Sequence, residues 1–122
     1  MTTTAAQRQA LGGYGERVAE RHLVGQGLVV LDRNWRCEAG EIDLVLREGS
    51  VLVVCEVKTR SGPEGGTPHE AVTDEKLDRL RRLGVLWAQA HDVHPQDTRV
   101  DLVAVLLSAR GAARVEHVRG VG

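Results

Sequence analysis

From Leu11 the apolar positions fall at Leu11, Tyr14, Gly15, Val18, Ala19, His22 and Leu23, the i, i+3, i+4 spacing of one helix face. Gly25 and Gly27 end that pattern, and Gly12, Gly13 and Gly15 weaken its first turns. Residues 28–34 are a short apolar run of strand type. Residues 40–48 and 51–59 are two further strands, with Gly49-Ser50 between them. The helical period returns after Thr73, a residue suited to cap a helix that opens with Asp74 and Glu75. Leu77, Leu80, Leu83, Trp87 and Ala88 supply that helix's apolar face, to about His91. Residues 98–107 form a strong strand and 113–118 a weaker one. The stretch SGPEGGTP at 61–68 reads as a flexible loop, and residues 1–10 as a disordered N-terminus. Residues 11–119 then form a single α/β domain, a mixed β-sheet with flanking helices in the order α-β-β-β-α-β-β.

The Gly49-Ser50 pair suits a two-residue hairpin loop with glycine first, as in a type II′ turn. In that register Glu48 faces Val51, Val45 meets Val54, Asp43 meets Glu56, and Glu41 meets Lys58. Alternation of side chains would place these last four charges on one face. The opposite face would be Ile42, Leu44 and Leu46 against Val51, Val53, Cys55 and Val57. Asp43 and Glu56 would then be cross-strand neighbours, their Cβ atoms roughly 5 Å apart. At an effective dielectric near 20 their repulsion costs on the order of 3 kcal/mol. A shared proton or a divalent cation relieves it. Two carboxylates on one point make a hard oxygen site suited to Mg2+, and Lys58 on the same face is placed to hold a phosphate oxygen or favour a deprotonated water. A solvated sheet face, with Glu41 and Lys58 as an ion pair, is the plainer explanation of the same alternation. It accounts poorly for Asp43 opposite Glu56.

Composition narrows the picture. The chain has 122 residues, 42% hydrophobic and 27% charged, with no Phe and 2% aromatics, so Val and Leu must build the core. Its formal net charge of −1 excludes a strongly basic binder of phosphate backbones, so nucleic-acid contact requires a local basic patch or a metal ion. Cys37 and Cys55 form no CxxC pattern and fit free thiols in a reducing cytoplasm. The N-terminal stretch MTTTAAQRQA has no apolar h-region, and no run of about 18 apolar residues could span a membrane.

Asp43 followed thirteen residues on by Glu56-Val57-Lys58, after a helix carrying Glu16, resembles the PD-(D/E)XK nuclease superfamily. More closely, the chain resembles the bacterial YraN family of endonuclease-like proteins, relatives of archaeal Holliday-junction resolvases. The matching segments are GxxGE (12–16), RNWR (33–36), GEIDLV (40–45), VVCEVKTR (53–60), EAV with Lys76 (70–76) and RVDLVAV (99–105). Ile42 stands where the superfamily has Pro, and VVCEVK lacks the usual Phe.

The resemblance implies a restriction-endonuclease-like core with Asp43 and Glu56 as ligands of Mg2+ or Mn2+ and the backbone carbonyl of Val57 as a third. It implies Lys58 as catalytic lysine and Glu16 as the helix-borne carboxylate near the metal. Glu16 lies about 120° from the centre of its helix's apolar stripe at 100° per residue, compatible with that role or with a solvated edge. The implied substrate is DNA, branched forms included, and a homodimer would supply two sites for two strands. Lys76, Arg79 and Arg82 recur at helical spacing and, with Arg60, are candidates for the nucleic-acid backbone. An inactive nucleic-acid-binding module or an interaction scaffold on the same fold are the alternatives. Asp101 is either a supporting group behind the site or a buried partner of Arg99 or another basic residue. His91 and His94 lack neighbouring ligands at zinc spacing. Trp35 and Trp87 read as core or rim packing.

Overall fold

A computed structural model describes residues 5–61, 72–108 and 112–121. The elements are α1 (Ala5–Gly25), β1 (Val29–Cys37), β2 (Gly40–Glu48), β3 (Val51–Ser61), α2 (Asp74–Ala90), β4 (Asp97–Leu107) and β5 (Arg114–Val118). This is the expected α-β-β-β-α-β-β order. The strands form one sheet in the order β1-β2-β3-β4-β5. Every pairing is antiparallel except β3 with β4, which run parallel because α2 carries the chain back between them. Most of the expected loop, residues 62–68, lies outside the described residues, while Ser61 ends β3.

The helix ends follow local chemistry. Thr73 caps α2, its hydroxyl accepting the Lys76 N–H at 3.1 Å, with Asp74 and Glu75 in the first turn. α1 begins at Ala5, six residues ahead of the expected start at Leu11. Ala, Gln and Arg at 5–10 are good helix formers, and they continue the helix without needing an apolar stripe. β1 likewise runs on from the expected Asn34 to Cys37.

α1 and α2 cover opposite faces of the sheet, each over its own core. Ala19, Leu23 and Leu28 pack on Leu44, Leu46, Val53, Cys55, Val103 and Val105. Leu77, Leu80, Leu83, Trp87 and Ala88 pack on Ile42, Val45, Leu52, Val54 and Val100. Tyr14, expected on the apolar face of α1, is 45% exposed.

Both helices meet the sheet at a glycine. A Cβ on Gly15 would stand 1.8 Å from Thr59 Oγ1, and one on Gly84 would stand 2.7 Å from Val54 Cγ2. Gly15→Ala is therefore expected to lose about 1–3 kcal/mol by overpacking, although alanine is the better helix former. Gly12 has nothing within 4 Å of the corresponding point, so Gly12→Ala should gain up to about 1 kcal/mol. Urea unfolding of both variants checks the contrast, and adding Thr59→Ala should restore part of the Gly15→Ala loss.

The Gly49-Ser50 hairpin has the expected register, with Glu48↔Val51, Val45↔Val54 and Leu44↔Cys55. Gly49 takes φ +60, the left-handed backbone this turn requires. The face assignment needs one correction. Leu44 and Leu46 share a face with Val53 and Cys55 as expected, and that face lies under α1, but Ile42 belongs to the core under α2. The alternation slips at Asp43. Opposite it on β1, between the pairs Arg33↔Leu44 and Trp35↔Ile42, Asn34 is left-handed at φ +50. Trp35 crosses to the α2 side together with Ile42.

Candidate functional site

β2 and β3 part company where their ladder ends. Beyond Leu44↔Cys55 the side chain of Asp43 takes over, its Oδ2 accepting the Val57 N–H at 2.8 Å. The carboxylate thus enters the gap between the two strands. Even-numbered residues at this end of β3 face α2, which places Glu56 and Lys58 on that side. Glu56 Oε2 lies 2.9 Å from Lys76 Nζ of α2, and Glu56 Oε1 lies 4.0 Å from Lys58 Nζ. From the other side, Glu16 of α1 is near enough for its charge to act on Asp43. The Gly15–Thr59 contact seats that turn of α1 against β3 and so delivers Glu16 to the gap.

The electrostatics follow from this crowding. Burial pushes the Asp43 carboxyl up to about 6; the Val57 N–H opposes the shift, while Glu16, Glu56 and Glu41 add to it. Burial also lowers the Lys58 ammonium from its ordinary value. Its contact with Lys76 lowers it further, and the pull of Glu56 partly offsets both. Glu56 Oε2 is buried and receives no directed hydrogen bond, so the Lys76 ammonium serves it as a charge partner only. Glu41 departs from expectation. It is exposed and stands 3.5 Å from Arg36 across β1, the residue its register places opposite it, not from Lys58.

Among the described residues no three His, Cys, Asp or Glu side chains form a ready-made ion cage. Two carboxylates are still compatible with Mg2+, which keeps several waters and takes one or two protein carboxylates. The buried Glu56 Oε2 without a hydrogen bond is the atom that fits such an ion best.

The expected basic patch divides. Lys76 turns inward to Glu56, whereas Arg60, Arg79 and Arg82 are exposed. Arg79 passes over Gly40, its Cδ 3.7 Å from where a Cβ would stand, which brings it to the β1–β2 hairpin. The sequence reading missed the direct contact of Lys76 with Glu56. A signal for it was present, since Lys58 and Lys76 are the only lysines in the chain and every other long basic side chain is arginine.

Asp101 is a buried partner of Arg99, one of the two roles left open. It is 0% exposed. Arg99 donates to both its oxygens at 2.8 and 3.0 Å, the Gly120 N–H bonds Oδ1 at 3.0 Å, and His117 Nε2 lies 2.8 Å from Oδ2. Burial pushes this carboxyl up, but the bonds from Arg99, Gly120 and His117 outweigh it and hold it below the ordinary carboxylate range. Arg99 also donates to Glu48 at 2.8 Å, and Arg119 bonds the same oxygen. Trp87 is buried, its indole N–H donating to Asp32 at 2.8 Å, with His91 stacked on it at 4.2 Å. His94 is paired with Asp92 at 3.3 Å on the surface. Cys37 and Cys55 are both free thiols. No described helix is long and apolar enough to cross a membrane.

Residues 15–105 match the model of a family described as "Uncharacterised protein family UPF0102", a span that includes Glu16, Asp43, Glu56, Lys58, Lys76 and Asp101. A UPF0102 protein of Nocardioides is 64% identical over 124 residues, covering 100% of both chains. Another from Beutenbergia cavernae is 58% identical, covering 94% of this chain and 98% of its own. One from Streptomyces coelicolor is 57% identical, covering 93% and 89%.

Proposed function

The chain belongs to the UPF0102 family, the YraN proteins, and we propose that it is a metal-dependent nuclease hydrolysing phosphodiester bonds in DNA, structured or branched DNA included. The observation that carries this reading is that Asp43, in the gap where β2 and β3 part, lies close enough to Glu56 to feel its charge, while Glu56 lies beside Lys58 with one buried oxygen held only by the charge of Lys76. A fold needs no such pair for its stability, because converging carboxylates repel.

Asp43, Glu56 and the carbonyl of Val57 would hold Mg2+ or Mn2+. Bound there, the ion would neutralise phosphate charge and lower the pKa of water. Lys58, its ammonium lowered by burial, would orient the attacking water or hold a phosphate oxygen. Glu16 lies close enough to add negative charge on the α1 side. Arg60, Arg79 and Arg82 are exposed and free to contact the backbone of the substrate. Two copies would supply one site per strand on a branched substrate, which gives a homodimer its purpose.

The test is a cleavage assay with Mg2+ or Mn2+ on linear, single-stranded, flapped and four-way DNA. Cleavage of at least one form is expected, and Lys58→Ala, which leaves both carboxylates in place, should reduce it by about a hundredfold or more. The net charge of −1 favours a second reading, a binding module on this fold without catalysis. DNA binding with no cleavage under any metal would support that reading instead.

A further inference from the structure

Resting on the metal reading above, we propose that Lys76 competes with the ion: its ammonium holds Glu56 in the metal-free protein, the arriving divalent cation displaces it, and the freed ammonium turns to the substrate phosphate. Three observations meet in this residue. Lys76 Nζ stands 2.9 Å from the Glu56 oxygen that is buried and receives no directed hydrogen bond, so that oxygen is compensated by charge and open to a stronger charge. The side chains of Lys76 and Glu56 are 18% and 15% exposed, which keeps water from screening their attraction. Lys58 and Lys76 are the only lysines in the chain, and both lie at this carboxylate.

The choice of lysine is chemically specific. A guanidinium would fork two N–H groups across both oxygens of Glu56 and hold them. An ammonium is a compact point charge on a flexible stem, and it releases one oxygen without breaking a bidentate pair. Its range of motion is set by the helix cap. The Lys76 backbone N–H is bonded to Thr73 Oγ1 at 3.1 Å, which fixes the start of the side chain, and its end is held only by the charge of Glu56. A divalent ion and an ammonium cannot share the same oxygen at this range without strong repulsion. Displacement therefore couples the two events, since metal entry frees a cation beside the place a phosphate would occupy.

Calorimetric titration of the metal-free protein with MnCl2 tests this on wild type, Lys76→Gln, Lys76→Arg and Arg81→Gln. Removing a competing unit charge at this distance should let Lys76→Gln bind Mn2+ about tenfold tighter than wild type. Lys76→Arg should bind no tighter than wild type. Arg81→Gln removes an equal charge from the same helix, where Arg81 is exposed and paired with Asp78, and should match wild type. Affinity of Lys76→Gln equal to or weaker than wild type overturns the proposal, as does equal tightening by Arg81→Gln. A second measurement needs no variant: Mn2+ should speed acylation of Lys76 by an amine reagent, mapped by peptide mass, and slowing would overturn the proposal. If neither wild type nor Lys76→Gln binds Mn2+, the metal reading fails and this inference falls with it. If wild type binds and Lys76→Gln binds no tighter, only the competition is refuted.

Discussion

Asp43→Asn should melt higher than wild type at pH 8 in the absence of metal while losing Mn2+-dependent cleavage. The carboxyl of Asp43 is pushed from an ordinary 3.8 up to about 6, by burial first and by its acidic neighbours afterwards. The folded protein thus holds this proton more tightly than the unfolded chain does. Stability from the group is greatest below the unfolded value and falls as pH rises from about 4 through about 6. The whole shift is worth about 3 kcal/mol. Asparagine stays neutral and keeps an oxygen for the Val57 N–H, so at pH 8 it should recover about 2–3 kcal/mol and raise Tm by roughly 5–10 °C. At pH 4 the two proteins should melt together. DNA affinity should hold or increase, since a negative charge near the backbone is gone. Thermal melts at both pH values, with cleavage measured in parallel, check the prediction. A mutant that melts lower at pH 8 would refute the repulsion on which the metal site is argued.

Asp101→Ala should be the most damaging change outside the site. The carboxylate is fully buried and bonded by Arg99, His117 and the Gly120 N–H. Removing it leaves the Arg99 guanidinium, 21% exposed, without its bidentate partner and strands a buried imidazole. Breaking such a pair from one side costs about 3–5 kcal/mol, against a total stability of about 5–15 kcal/mol for a domain. The loss should also free the C-terminal segment, which is tied down by Gly120 on Asp101 and by the Val121 N–H on the Val100 carbonyl at 2.8 Å. Urea unfolding should show a much lower midpoint. The exposed pair Arg114–Glu116 serves as control, and Glu116→Ala should change stability by less than about 1 kcal/mol.

The hairpin register from Glu48↔Val51 to Leu44↔Cys55 was legible because a two-residue turn with a leading glycine sets the pairs that follow it, but the parting of the strands at Asp43, beyond that ladder, was not. The start of α2 was legible because Thr73 followed by Asp74 and Glu75 is a capping pattern. The side on which Ile42 lies was not. It depends on a left-handed Asn34 in the neighbouring strand and on a carboxylate that replaces a ladder bond, and neither leaves a mark on a period-two pattern. The partner of Glu41 was misread for a related reason: the hairpin with β3 was considered without β1, which lies on the other side of β2 and offers Arg36. Lys76 was grouped with Arg79 and Arg82 by spacing alone, and only the packing of α2 on β3 separates it from them. Asp101 stood in an apolar strand with its role open: Arg99, two residues away, was a visible candidate, but the His117 and Gly120 bonds that complete its burial come from β5 and the C-terminal segment.

The confinement of lysine to one carboxylate also determines how the protein meets a protease. An endoproteinase specific for lysine has two bonds to cut, one after Lys58 and one after Lys76. The first lies within β3, half-buried and paired along its length with β4, so it is cut only when this part of β3 leaves the sheet. The second lies in the first turn of α2, where fraying exposes it at much lower free energy. Digestion with such an enzyme would therefore give two separate clocks, one for the opening of β3 from β4 and one for the loosening of the helix end that carries the site's second ammonium.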